Sequence, residues 1–137
     1  KNYQRGPEIV HAVKGVSFSV TSGEYVAVVG HSGSGKTTLM NIIGCLDRAS
    51  EGSVTVQGHE IQHLREGELT KIRQTLIGFV FQQFNLLPRT SAQDNVELPL
   101  LYAAMPVSER HIRARARLQE VGLAERTDHH PAQLSGG

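Results

Sequence analysis

Apolar residues in the first 87 positions follow the patterns of short β-strands. Within residues 13–20, Val16, Phe18 and Val20 alternate with Ser17 and Ser19, which is the period of a half-buried strand. Residues 25–29 and 77–81 are nearly continuous apolar runs, typical of strands that are buried on both faces of a sheet. Together the patterns predict strands at residues 13–20, 25–29, 54–56 and 77–81.

Four other segments predict helices. In the first of them, Leu39, Ile42 and Leu46 fall on one apolar stripe. Ser108 is a suitable N-cap for the last, and Gly122 a suitable stop. The predicted helices occupy residues 36–46, 66–75, 92–103 and 108–121. Because strands and helices mix in the first 87 residues and helices dominate afterwards, the order of elements favours an α/β core with an appended helical subdomain.

Composition and charge restrict the class of protein. The chain has 137 residues, 39% of them hydrophobic and 20% charged, which is typical of one globular domain. A net charge of +1 gives no reason to expect a nucleic-acid partner. A single cysteine excludes a disulfide framework and favours a reducing compartment. The sequence shows neither an apolar run long enough to cross a membrane nor a secretory leader.

A glycine-rich loop joins the strand predicted at 25–29 to the helix predicted at 36–46. Residues 30–37, Gly-His-Ser-Gly-Ser-Gly-Lys-Thr, fit the pattern G-x-x-x-x-G-K-[ST]. Glycines let successive backbone N–H groups surround a phosphate, and a helix N-terminus favours negative charge. Lys36 adds a positive charge for the β- and γ-phosphates, and the Thr37 hydroxyl suits Mg²⁺. The loop therefore predicts a site for the phosphates of a nucleotide.

This loop alone leaves several classes of protein open, because small-molecule kinases and GTPases share it. A second glycine motif, Leu134-Ser135-Gly136-Gly137, follows two predicted helices. By itself this motif is weak, since an ordinary loop before a helix has the same composition. Together with the glycine-rich loop at residues 30–37, a phosphate-binding loop or P-loop, it favours an ATP-binding-cassette (ABC) domain.

The sequence resembles the ABC ATPases, and among them the group that includes the lipoprotein-release and macrolide-export ATPases. Besides the two glycine motifs, the resemblance rests on residues 41–47, 68–73, 77–88 and 94–100. It implies a P-loop NTPase (RecA-like) α/β core with an N-terminal antiparallel β subdomain in residues 1–87. Residues 88–137 would be the start of an ABC α-helical subdomain that ends in the signature motif, and the whole would be an incomplete domain.

The resemblance also implies roles for individual residues. The matching glutamine, Gln82, contacts Mg²⁺ and the attacking water in the family; this role is favoured over the alternative of an exposed loop glutamine. Tyr3 matches the aromatic residue that stacks on adenine. Lys36 and Gln82 would be the catalytic residues present, and Thr37 and Gln82 the Mg²⁺ ligands. The expected nucleotide contacts are Tyr3, Gly30, His31, Ser32, Gly33, Ser34, Gly35, Lys36, Thr37, Thr38 and Gln82.

In the family, the signature motif caps the γ-phosphate of the ATP held by an opposing domain. Leu134, Ser135, Gly136 and Gly137 therefore imply a head-to-tail dimer with ATP at its interface. The implied function is an ATPase that binds Mg-ATP and drives export or release of a substrate through a permease partner, peripherally at the cytoplasmic face of the inner membrane. The alternative is a regulatory, non-transporting ABC ATPase of the cell-division type.

Other clusters are interpreted without a special function. Neither histidine pair, His59/His63 nor His129/His130, has a third ligand nearby, so surface histidines are favoured over a metal site. The arginines of the last predicted helix are interpreted as a solvated face; they are Arg110, Arg113, Arg115 and Arg117. Cys45 is expected to be buried and inert within the P-loop helix.

The family residues that complete hydrolysis, a glutamate that activates water and a switch histidine, would follow the signature motif. We therefore expect the 137-residue chain to bind nucleotide weakly and to release negligible phosphate, because phosphoryl transfer to water needs a group that orients the nucleophile. The absent strands would be central in a parallel sheet, so we also expect unpaired sheet edges. Steady phosphate release by the purified chain, abolished by Lys36→Ala, would contradict this expectation.

Overall fold

The structure, a computed structural model, describes residues 1–134 of the chain. The chain divides into two compact units, Lys1–Phe79 and Val80–Gly137. The sequence-based assignment placed the end of the nucleotide-binding core at residue 87, and that assignment stays a prediction.

Two antiparallel hairpins form the sheet structure of the first unit. In the first hairpin, β1 (Asn2–Arg5) pairs with β2 (Glu8–His11), with Tyr3 opposite Val10. Gly6 forms its turn with φ of 61°, a left-handed conformation that glycine adopts without strain. In the second hairpin, β3 (Thr55–Val56) pairs with β4 (His59–Glu60), close to the strand predicted at 54–56.

The strands predicted at residues 13–20, 25–29 and 77–81 are wrong for the described residues 1–134, where ladder pairing does not extend to these segments. Tyr25 and Val29 are 96% and 87% exposed, although their apolar run predicted burial on both faces. The reason is that periodicity reports which side chains favour burial, whereas a strand also needs a neighbouring strand to supply hydrogen bonds. Without that neighbour, the apolar side chains stay exposed.

The first helix, α1 (Lys36–Ile43), is shorter than the predicted 36–46, because the backbone leaves the helical conformation at Gly44 and Cys45. The amide of Gly44 donates to the Met40 carbonyl oxygen at 2.8 Å. A Cβ atom on Gly44 would lie 2.3 Å from the Phe79 ring, so a larger residue here would have to displace that ring. Cys45 follows with φ of 56°. Its burial is confirmed, at 2% exposure, but it lies beyond the helix and not within it.

A small apolar cluster forms the core of the first unit. Its buried members are Cys45, Ile61, Leu69 and Ile72. Two of them lie on α2 (Glu66–Leu76), which matches the helix predicted at 66–75 to within a residue. The Arg73 guanidinium joins this helix to the end of α1, because it donates to the Cys45 carbonyl oxygen at 2.8 Å. The core is therefore centred beside the end of the P-loop helix.

Two helices dominate the second unit. They are α3 (Ala92–Tyr102), capped by the Ser91 hydroxyl, and α4 (Val107–Glu120). The predicted N-cap Ser108 is wrong, because the N-cap position belongs to Pro106 and the helix begins at Val107. Two short 3₁₀ turns follow, Ala124–Arg126 and Pro131–Gln133.

A polar network joins α3 to α4. Gln93 and Glu97 are 8% and 6% exposed, and the Gln93 amide donates to the Glu97 carboxylate at 2.7 Å. From α4, Arg115 donates to Gln93 at 3.0 Å, and Arg110 lies 3.7 Å from Glu97. The prediction that the arginines of this helix form a solvated face is thus wrong for Arg110, whose side chain is 16% exposed beside the buried Glu97. Arg115 contacts Gln93 but stays exposed, as predicted.

The prediction is confirmed for the other two arginines of α4. Arg113 and Arg117 form exposed ion pairs with Glu109 and Glu120 of the same helix.

Across residues 1–134, none of the helices combines the length and the apolar character that crossing a bilayer requires.

The contact between Gly44 and Phe79 predicts a strong effect of one methyl group. We expect Gly44→Ala to lower the free energy of unfolding by about 1–3 kcal/mol, because the added Cβ overlaps the ring. The matched control is Gly67→Ala on α2, where nothing lies within 4 Å of the added atom. This control should stabilise the helix by about 0.5–1 kcal/mol. Urea denaturation measures both variants, and equal stability of the two would contradict the packing account.

Candidate functional site

The glycine-rich loop is built on left-handed backbone positions. Gly33 has φ of 79° and Gly35 has φ of 87°, which side chains disfavour. Gly35 is also the N-cap of α1, and a Cβ atom there would lie 2.2 Å from the Ala12 carbonyl oxygen. The chain that follows β2 therefore runs directly against the loop. Only glycine fits Gly35, for reasons of both conformation and space.

The Lys36 side chain folds back over the loop that precedes it. Its ammonium group donates to the carbonyl oxygens of Gly30 and His31 at 2.8 and 2.7 Å. It also lies 3.3 Å from the Ser34 hydroxyl. The positive charge is thus held at the mouth of the loop beside the N-terminus of α1, where the helix dipole adds to it. This arrangement attracts anions.

The remaining loop side chains face solvent. The His31 ring nitrogen Nδ1 lies 2.8 Å from the Ser32 carbonyl oxygen, so Nδ1 carries the proton in this contact. Thr37 is exposed at the start of α1. A cleft of about 560 Å³ opens beside the loop. Its walls include Gly30, Gly33–Lys36 and residues 11–14, so the glycines and Lys36 border open space.

Tyr3 lies on β1 and is tied to the turn that follows α1. Its phenol donates to the Asp47 carboxylate at 2.7 Å. The Lys1 ammonium group lies 4.8 Å from the centre of the Tyr3 ring, a cation–π distance, and forms an ion pair with Asp47. Tyr3 keeps 39% exposure. The predicted aromatic contact therefore belongs to the same unit as the loop.

The other predicted site residues belong to the second unit. Gln82 is exposed in the irregular segment before α3, and not at the end of a strand as the sequence predicted. Leu134 follows the last 3₁₀ turn, and its amide donates to the Pro131 carbonyl oxygen at 3.1 Å. The other signature residues, Ser135, Gly136 and Gly137, lie outside the described residues.

Asp47, which contacts the predicted site residue Tyr3, was given no role from the sequence. It appeared only within the run of residues 41–47 that carried the resemblance. The available signal was a carboxylate placed soon after a glycine that ends the P-loop helix. Burial opposes ionisation here, but the hydrogen bonds from Lys1, Tyr3 and the Arg48 amide outweigh it and hold the pKa of Asp47 below its ordinary value. The carboxylate is therefore charged at neutral pH.

The loop, its lysine and the helix that follows define a P-loop of the kind that holds nucleotide phosphates. Comparison with known proteins agrees: the protein-family model described as "ABC transporter" matches residues 13–137. The chain belongs to the ABC transporter family. Its fold is accordingly that of a P-loop NTPase cassette, of which it forms a part.

Individual relatives cover the chain almost completely. It is 56% identical over 132 residues to the pyoverdine export ATP-binding/permease protein PvdT of Pseudomonas aeruginosa, covering 96% of this chain and 20% of that protein. It is 51% identical to an uncharacterized ABC transporter ATP-binding protein of Thermotoga maritima, covering 100% of this chain and 58% of that protein.

A solved structure extends the comparison to the backbone. It is a dimeric, post-hydrolysis state of the ATP-binding cassette MJ0796 bound to ADP and Pi. The TM-score is 0.88 at 48% identity, over 99% of this chain and 60% of that one. The chain thus spans about a fifth of the first relative and about three fifths of the other two, and follows the backbone path of an ABC cassette.

Proposed function

We propose that this chain binds Mg-ATP through residues 30–37 and forms part of an ATPase that drives export through a membrane permease. The observation that carries the proposal is the position of Lys36. Its ammonium group donates hydrogen bonds to two loop carbonyl oxygens at the N-terminus of α1, beside glycines in the left-handed conformation. Phosphate oxygens are stronger acceptors for a lysine than neutral carbonyls, so a nucleotide would take over this ammonium group.

The P-loop residues would share the binding of the nucleotide. Backbone N–H groups of Gly33, Gly35 and Lys36 would bind phosphate oxygens, with Ser32, Ser34, His31 and Gly30 completing the loop and Thr38 beside it. The Thr37 hydroxyl is an exposed, hard oxygen donor at the start of α1, and Gln82 offers an exposed amide oxygen, so both suit Mg²⁺. When bound, that ion would neutralise charge on the β- and γ-phosphates.

The remaining parts of the proposal depend on a second subunit and a membrane partner. Leu134, Ser135, Gly136 and Gly137 would contact the ATP of an opposing cassette, which gives a head-to-tail dimer that closes on ATP. This is supported by the dimer that MJ0796 forms in its solved structure. Closure and opening would then move a permease subunit or a fused membrane domain at the cytoplasmic face of the membrane.

Export is favoured over a regulatory role by the relatives. PvdT is named for pyoverdine export, and a relative from Marinobacter nauticus, 47% identical, is named a macrolide export protein. Both are ATP-binding/permease proteins by name. For this chain we propose export of a substrate by the complete protein, since the residues of an ATP site do not choose the cargo.

The test of the proposal is nucleotide affinity with and without Lys36. We expect Lys36→Ala to weaken ATP binding by about tenfold or more, because a hydrogen bond to a charged group contributes about 1.5–3 kcal/mol. Isothermal titration with ATP and Mg²⁺ measures the affinity.

The matched control is Lys71→Ala, which removes the same charge from the exposed surface of α2 and should leave affinity unchanged. Equal affinities for the two variants would show that the P-loop does not bind the phosphates and would overturn the proposal.

A further inference from the structure

Asp47 receives hydrogen bonds from two distant parts of the first unit. One carboxylate oxygen accepts from the Tyr3 phenol at 2.7 Å. The other accepts from the Arg48 amide at 2.7 Å and from the Lys1 ammonium group. Lys1 precedes β1 and Tyr3 lies on it, whereas Asp47 follows α1. The carboxylate therefore links the N-terminal hairpin to the end of the P-loop helix.

The turn that carries Asp47 is fixed to α1. The amides of Leu46 and Asp47 donate to the Asn41 carbonyl oxygen at 2.8 and 3.2 Å. On its other side, the Arg48 guanidinium donates to the Gln62 carbonyl oxygen at 2.6 Å and to the Leu64 carbonyl oxygen. Asp47 is thus held in place by α1 and by the chain that leads into α2.

Tyr3 is oriented by this fixed carboxylate. Its hydroxyl is bonded to Asp47, and the Lys1 ammonium group lies over its ring. The pKa of Tyr3 is raised, chiefly by the hydrogen bond to Asp47, while the Thr38 hydroxyl in the first turn of α1 acts in the opposite direction. The hydrogen bond to Asp47 thus fixes the phenol at the turn that follows α1.

We propose that Asp47 is a positioning residue for nucleotide recognition, holding the Tyr3 ring in a fixed place relative to the P-loop so that it can stack on the nucleobase. The inference rests on the proposed function. The physical reason is pre-organisation: a side chain that is ordered before binding does not lose its rotamer freedom when the ligand arrives. Asp47 then acts on the base and not on the phosphates.

The test compares ATP with inorganic tripolyphosphate, which carries the phosphates without a base. We expect Asp47→Asn to weaken ATP binding by about threefold to tenfold, the effect of ordering one side chain on binding, and to leave tripolyphosphate affinity unchanged. Isothermal titration of both ligands measures the ratio. Glu51→Gln, which removes an exposed carboxylate from the same loop, is the matched control and should not change it.

Tyr3→Phe tests the same link with Asp47 and its ion pair to Lys1 intact, so it remains informative if Asp47→Asn fails to fold. It should reproduce the loss seen with Asp47→Asn, and the double variant should lose no more than either single variant. Tyr3→Ala should lose at least as much ATP affinity, again without loss for tripolyphosphate.

Several results with the Asp47 and Tyr3 variants would overturn the inference that Asp47 positions the Tyr3 ring. Equal loss for ATP and tripolyphosphate in Asp47→Asn would make Asp47 a structural residue of the P-loop unit and overturn the inference. An unchanged ATP affinity in Asp47→Asn, an unchanged ratio in Tyr3→Ala, or additive effects of the two changes would also overturn it. Failure of the proposed function is separate: in that case Lys36→Ala would leave both ligands bound as before.

Discussion

The close approach of the Ala12 carbonyl oxygen to Gly35 is the constraint on which the candidate site depends. It leaves no room for a Cβ atom at the residue that caps α1, where the backbone is also left-handed. The first amides of α1 and the Lys36 ammonium group consequently lie together beside residues 30–35 of the loop. Because these groups are positioned before any ligand binds, a phosphate would meet donors that need little reorganisation.

The P-loop helix also organises the rest of the first unit. At its end, Gly44 packs against Phe79, and Asp47 in the next turn binds Tyr3 and Lys1. The same turn is joined to α2 through the guanidinium of Arg73. Helix α1 thus connects the P-loop at its start with Tyr3 and the apolar core at its end. This connection explains how Tyr3 and residues 30–37, which are far apart in sequence, come to belong to one structural unit.

The sequence predicted the local features well and the long-range ones poorly. Residues 30–37 predicted the loop and the start of α1, because glycine and lysine act there through local conformation and charge. The strand predicted at 25–29 does not form in the structure. An apolar run indicates burial, but it does not indicate which neighbouring strand would supply the backbone hydrogen bonds. Arg110 was assigned to a solvated face, since its buried partner Glu97 lies on a different helix. The contact of Asp47 was missed because its hydrogen-bond donor, Tyr3, is distant in sequence.

Amide chemical shifts during titration with ATP and Mg²⁺ test the central claim most directly. If the loop surrounds the phosphates, the largest shifts will belong to the backbone amides of Gly33, Gly35 and Lys36, and inorganic tripolyphosphate will reproduce them. Amides of α4, in the second unit, serve as the internal reference and should move little. Shifts that spare residues 30–37, or that appear equally in α4, would contradict the account, because they would show that the nucleotide binds elsewhere or without a defined site.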